Sequence, residues 1–294
     1  ANIQPLRPGE EKYAISFALP MNAKGLKIMS RRSYEESASS SFDYPLSSRF
    51  DENDALVYCD DVKVPWERVF IYKDTDAARG QFQDTYAHYM QNYQAQIRLM
   101  VKMQFQIGVA RRMCEVIGTV GIPSVAEKLG HMAAQAAMVE GLVYGMESGG
   151  GMFNGYYVPD RNLMYTAQVL TQQLYPEFIT AMRELAGGGL IMLPSSAEDF
   201  ADPDLNRYIN ATQKSAIGTA EEKVKFMKLA WDAIGSEFAS RHTQYEMFYA
   251  GAQFVTRGHS FRTYDWDRAA GLVDSILDKY SLDDVIGSGK IAAE

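Results

Sequence analysis

The chain has 294 residues, of which 47% are hydrophobic and 22% charged, and it carries a formal net charge of -8. That balance describes a globular protein able to bury a core in one large or two ordinary domains, and an acidic chain with no Lys/Arg cluster argues against a nucleic-acid partner. The two cysteines, Cys59 and Cys114, lie far apart with no CxxC or Cys/His spacing; this leaves no thiolate zinc site and points to a reducing compartment, the cytoplasm.

In chain order, the opening "ANIQPLRPGEEKYAISFALP" shows no basic and apolar leader pattern and lacks Met. The expectation is that an N-terminal part of a longer protein precedes it. Residues 13–19 alternate large and small side chains up to Pro20 and predict a strand. Residues 26–29, 55–59 and 62–64 predict further strands, separated by Gly, Pro, Asn and Asp. Four short strands do not close a sheet comfortably, so partner strands are expected upstream. From Tyr86, Met90, Tyr93, Ile97 and Val101 recur at helical spacing, and the pattern runs on to Ile117. Ser124 and Glu127 stand as a capping box for a second helix that should stop at the glycines 149–151. A third helix is expected over residues 161–186, kinked or interrupted by Pro176 and ended by glycines 187–189. Thr219 and Glu222 open a fourth, predicted to continue to about Tyr249, and a shorter one follows over residues 264–280. The fold class predicted is α+β: a β layer over residues 1–75, then a helical bundle over residues 76–294.

Most candidate sites have an ordinary structural explanation. Asp51, Glu52, Asp54, Asp60 and Asp61 lack EF-hand register and are expected to line solvated turns. Trp66 is expected to pin a strand to the bundle. The glycine triplets do not fit a phosphate loop, and "GSGKI" lacks the first glycine and the hydroxyl of a Walker motif. His88, His131, His242 and His259 form no HExxH and no close metal pair; His131 and His259 are read as surface or satisfied core residues. His88 stands out because Tyr86, Tyr89, Tyr93 and Gln94 surround it, a face suited to a planar ring. No metal site is predicted.

Four ordered blocks, "EKYAISFALP", "FDYPLSSRFDENDALVYCDDVKVPWERVFIY", "GGGLIMLPSS" and "LAWDAIGSEFASRHTQYEMFYAG", together resemble the 4-hydroxyphenylacetate 3-monooxygenase family, the oxygenase components of two-component phenol hydroxylases. The resemblance implies an acyl-CoA-dehydrogenase-like fold, here a partial middle β domain followed by the C-terminal four-helix bundle, assembled as a homotetramer. It further implies reduced FAD supplied by a separate flavin reductase, O2, and hydroxylation of a phenol ortho to its hydroxyl through a flavin hydroperoxide. By position, the family's flavin-contacting segment falls on Ala252, Gln253, Phe254 and Val255, and a substrate-contacting pair on Asn2 and Ile3. His88 becomes the candidate catalytic base, with Tyr93 and Gln94 as candidate substrate contacts. The alternatives are an enzyme like 4-hydroxybutyryl-CoA dehydratase, a related branch that needs cysteines not found near His88, and a non-catalytic oligomerisation bundle.

Overall fold

Residues 6–286 are described by the computed structural model, and the part up to residue 72 is held in short pieces. They are β1 (Ile15–Phe17), β2 (Leu26–Ser30), α1 (Tyr34–Ser37), α2 (Ser47–Phe50), β3 (Ala55–Cys59) and β4 (Val69–Tyr72). β1 pairs antiparallel with β4, Ile15 opposite Tyr72, and β2 with β3, Leu26 opposite Cys59. These are two-stranded sheets, and their faces stay open: Met29, Leu56, Val57 and Tyr58 are all at least half exposed. Residues 62–64 form no strand; the chain turns there through Asp61 at φ 54 and regains extended pairing only in β4. Trp66 does not pin the layer to the bundle. Its ring is 68% exposed and stands edge-on to Tyr72 at 5.0 Å.

The acids after β2 do more than line wet turns. Asp51 accepts from Arg31 and from the amide of Tyr34 at 2.8 Å, at the start of α1. Asp54 and Glu52 both pair with Arg241, which belongs to the bundle. Asp60 matches the solvated expectation, paired at the surface with Lys27.

Helices dominate the rest: α3 (Thr75–Gln83), α4 (Ala87–Ile117), α5 (Pro123–Ser148), then a hairpin of β5 (Gly151–Phe153) and β6 (Tyr156–Val158). They are followed by α6 (Arg161–Ala186), α7 (Pro203–Thr212), α8 (Ala220–Ile234), α9 (Glu237–Phe248), α10 (Gln253–Thr263), α11 (Trp266–Leu277) and α12 (Leu282–Ile286). Thr219 and Glu222 make the predicted capping box. Ser124 does not cap α5, because Pro123 takes the first helical position and Ile122 the cap, where no side chain bonds. Pro176 lies inside α6 without ending it. The helix predicted to reach Tyr249 is cut in two. Gly235 passes so close to the Trp231 ring that a Cβ there would lie 2.3 Å from it, and Ser236 caps α9 through the amide of Ala239 at 3.1 Å.

α4, α5, α6 and the α8–α9 pair enclose the core, whose centre is Met103, Met113, Met132, Phe178, Met182 and Met227, each 0% exposed. The stripe predicted on α4 is only in part its buried face: Tyr86, Tyr93 and Ile97 pack half-buried against a core cluster, Met90 and Val101 are exposed, and Tyr89, Asn92, Gln96, Leu99 and Met103 are the fully buried residues. Polar residues can face inward there because the fold supplies partners. Asn92 donates to the carbonyl of His88, and Thr171 donates to Gln96. Among the described residues no helix is long and apolar enough to cross a membrane.

Candidate functional site

The α9–α10 turn is built from residues that cannot hold themselves in place. Gly251 sits at φ 108, a conformation glycine adopts freely, and Ala252 starts α10 with no side-chain cap. The first amides of a helix lack intrahelical acceptors and carry partial positive charge, so an uncapped start offers donors to an electronegative ligand. Phe254, in the first turn of α10, is 79% exposed. Gln172 reaches the turn from α6, donating to the carbonyls of Met247 at 2.8 Å and Gly251 at 2.6 Å, and Thr256 donates to Gln172 Oε1 at 2.8 Å.

Two helical turns back along α9, Tyr245 walls a cavity of about 640 Å3 between α2, α4, α6 and α9. Phe50, Val101, Phe105 and Phe238 make it mainly apolar. Arg98 and Lys102 line it and are paired: Glu246 accepts from both, and Arg98 donates to the Tyr245 hydroxyl at 2.6 Å. The Arg98 guanidinium also lies over the Tyr245 ring at 4.2 Å and over Tyr249 at 5.3 Å, and the two rings stack at 4.6 Å. The stack thus connects the cavity to the α9–α10 turn. Lys102 lies 3.2 Å from His242 Nδ1, and burial, reinforced by the Lys102, Arg241 and Arg98 cations, holds this ring down to about 3, hence neutral. His242 Nε2 and Gln106 Oε1 are buried without a partner.

The third cluster surrounds His88. Its Nδ1 lies 2.9 Å from the Tyr165 hydroxyl; His259 stacks on Tyr165 at 4.8 Å and accepts from Arg262 at 2.8 Å. Burial first, then the neighbouring His259, pushes His88 down to about 4.

The predicted residues are spread over several faces. His88 looks toward α6 and α10, whereas the Tyr93 hydroxyl donates to Glu147 on α5 and is pushed up to about 12 by burial and that carboxylate. Gln94 is exposed. Ala252, Gln253, Phe254 and Val255 open α10, the helix that carries His259 beside His88, and they do not line the 640 Å3 cavity. Asn2 and Ile3 lie outside the described residues. His259, expected as a surface or satisfied core residue, is half-buried and packs against both His88 and Tyr165. Gln172, Arg98 and His242 carried no motif. The one available signal was spacing: Arg98 with Lys102, and His242 with Glu246, each stand four residues apart on facing helices.

A β layer followed by a long-helix bundle with this connectivity is the acyl-CoA-dehydrogenase-like fold. An archaeal 4-hydroxybutyryl-CoA dehydratase from N. maritimus, 18% identical, matches 95% of the chain and 56% of its own length with a TM-score of 0.81, a likeness of fold alone. The chain belongs to the 4-hydroxyphenylacetate 3-hydroxylase family, whose N-terminal profile matches residues 1–71 and whose C-terminal profile matches residues 78–278. The oxygenase component of 4-hydroxyphenylacetate 3-monooxygenase from Escherichia coli is 36% identical over 277 residues, covering 91% of this chain and 53% of that protein. The 4-nitrophenol 2-monooxygenase oxygenase component from Rhodococcus sp is 34% identical over 293 residues, covering 95% and 56%. A crystal structure of a 4-hydroxyphenylacetate 3-monooxygenase oxygenase component complexed with FAD and 4-hydroxyphenylacetate covers 93% of this chain and 57% of its own at 32% identity, with a TM-score of 0.86. The chain therefore spans about half the length of the relatives it matches.

Proposed function

We propose that this chain is the C-terminal part of a monooxygenase that hydroxylates a phenol ortho to its hydroxyl, using O2 and reduced FAD from a separate flavin reductase. The observation that carries the reading is the superposition of the chain on a relative complexed with both FAD and 4-hydroxyphenylacetate. Reduced FAD, when bound, supplies the electrons that activate O2. The residues fit such a group: at the uncapped start of α10 the amides of Gln253 and Phe254 precede the first backbone bond of the turn, which Val255 donates to the carbonyl of Ala252 at 2.9 Å, and the exposed Phe254 ring offers a flat apolar surface beside them. The Tyr245–Tyr249 stack and the cavity behind it add apolar wall, which favours an aromatic substrate.

A phenol reacts more readily once its proton is drawn away, so the site needs a base. His88 is the proposed base on the family resemblance: the Tyr165 hydroxyl lies 2.9 Å from its Nδ1, and burial keeps the ring neutral while weakening it as a base, so the role requires the bound substrate to raise its basicity. Asn2, Ile3, Tyr93 and Gln94 remain the proposed substrate contacts, on the strength of the family resemblance. A cytoplasmic homotetramer is the assembly that this reading carries with it.

The test uses the full-length protein with FAD, a flavin reductase and 4-hydroxyphenylacetate. Binding of reduced FAD and formation of the catechol are expected, and His88→Ala should lower kcat with little change in flavin affinity. A full-length protein that binds no reduced flavin would remove the reading.

A further inference from the structure

Gln172 is 2% exposed and Thr256 0% exposed, yet both spend their polar groups on one short turn. A buried amide is costly unless its donors and acceptor are met. Two carbonyl oxygens, of Met247 and Gly251, face the same end of the Gln172 side chain at 2.8 and 2.6 Å. Only the NH2 group can satisfy both, which fixes the amide orientation and turns Oε1 toward the Thr256 hydroxyl at 2.8 Å. The carbonyls it meets lie at the end of α9 and in the turn, where helix carbonyls lose their intrahelical donors. Thr256 itself lies near the start of α10, so the bond its hydroxyl donates to Gln172 ties that helix end into the same clasp.

The consequence is mechanical. Gly251 and Ala252 have no side chain long enough to anchor the turn, and α9 and α10 meet there at a glycine with positive φ. An apolar residue at position 172 would fill the same space without fixing where the turn runs. We propose that Gln172, with Thr256 as its partner, is a positioning residue for the flavin. It sets the path of residues 247–256 so that residues 252–255 meet the flavin in one geometry. Being buried on α6, it acts through the turn. The inference rests on the reading of residues 252–255 as a flavin contact.

The experiment measures the affinity of the full-length protein for reduced FAD, held anaerobically, together with the fraction of consumed O2 released as hydrogen peroxide during turnover with 4-hydroxyphenylacetate. In Gln172→Met, which keeps the volume and loses the amide, flavin affinity should fall about 10- to 100-fold and the peroxide fraction should rise, since small displacements at a reacting group are costly. Thr256→Val should show the same change in smaller degree. Thr256→Ser, which restores the hydroxyl, should return both values toward wild type. A purely structural role would lower Tm and leave both values of the folded protein unchanged. Should Gln172→Met fail to fold, the Thr256→Val and Thr256→Ser pair decides. Wild-type affinity and coupling in Thr256→Val overturn the inference while leaving flavin binding intact; a wild-type protein that binds no reduced FAD overturns the reading and the inference with it.

Discussion

The bundle and the β layer of this chain are held by different forces. In the bundle, methionines and aromatics on α4, α5, α6 and α8 exclude water completely, Met103, Phe178, Met182 and Met227 among them. The β layer has almost no such interior: Ala14 is its one buried apolar side chain among the described residues up to residue 72. It is tied on by polar bonds to a few points of the bundle, beside the partly buried contacts of Tyr34, Phe42 and Leu46. Asp232, 0% exposed on α8, accepts from the amides of Leu46 and Ser47 at 2.8 and 2.7 Å and from the Ser47 hydroxyl. Lys228, one turn earlier, pairs with Asp43 at 3.0 Å, and Arg241 on α9 grips Asp54 at 2.6 Å. Burial of apolar surface is spread over many residues and tolerates change at each, whereas a buried ion pair concentrates its contribution in two groups. The difference predicts a bundle that fails as a whole and a layer that fails by detachment.

Phe178→Ala should have the largest effect. Emptying a site that is 0% exposed at the centre of the core costs ~4 kcal/mol, and hydrogen exchange should quicken throughout α4, α5, α6 and α8 together. Lys228→Met should cost somewhat less, ~3 kcal/mol, because Asp43, with its side chain 1% exposed, is left without its cation. Here exchange should quicken around residues 40–50 and stay slow in α4–α6. Uniform loss of protection in both variants would show that the two regions unfold as one, and the comparison would break.

What the sequence disclosed follows the same division. Residues 55–59, 161–186 and the Thr219 capping box were legible because β-branched runs, glycine stops and cap residues are local signals, and the structure has them at those positions. The buried face of α4 was only partly legible: Gln96 and Gln106 are polar, and their partners on α6 and α8 let them turn inward, while Asn92 bonds back to the carbonyl of His88 on its own helix. The cut between α8 and α9 was hidden for a similar reason, since Gly235 is required by the Trp231 ring beside it and the pattern of apolar residues runs on unbroken. At the site, family resemblance singled out residues 252–255, but Gln172 lies 79 positions from Gly251 in sequence and no spacing rule connects them.

A pH titration sharpens the comparison at intermediate size. His242 in the bundle titrates near 3 and His88 near 4, both far below the ordinary 6.5. The unfolded chain takes up these protons around pH 6.5 and the folded one does not, so bundle stability falls as pH drops from 6.5, until about 4 for His88 and 3 for His242. The layer behaves otherwise. Burial alone would raise Asp51, but Arg31 and the amides of Tyr34 and Glu35 outweigh it and hold it at about 2, so its contribution is intact above about 3.8 and lost between there and 2. Thermal melts from pH 7 to 4.5 should therefore show falling Tm, with a shallower fall in His242→Phe. An unchanged slope in that variant would mean His242 is protonated in the fold.

The smallest effect should come from Trp66, despite its size. A tryptophan usually dominates the energetics of whatever it packs against, but only in proportion to the surface it buries. Trp66 leaves 68% of its surface exposed, and its main aromatic contact, the 5.0 Å edge-on meeting with Tyr72, lies inside the same open layer. Trp66→Ala in this 294-residue chain should thus change stability by no more than ~0.5 kcal/mol. A loss several times larger would show that Trp66 is buried against a further surface, seated on the face formed by Trp66 and Tyr72.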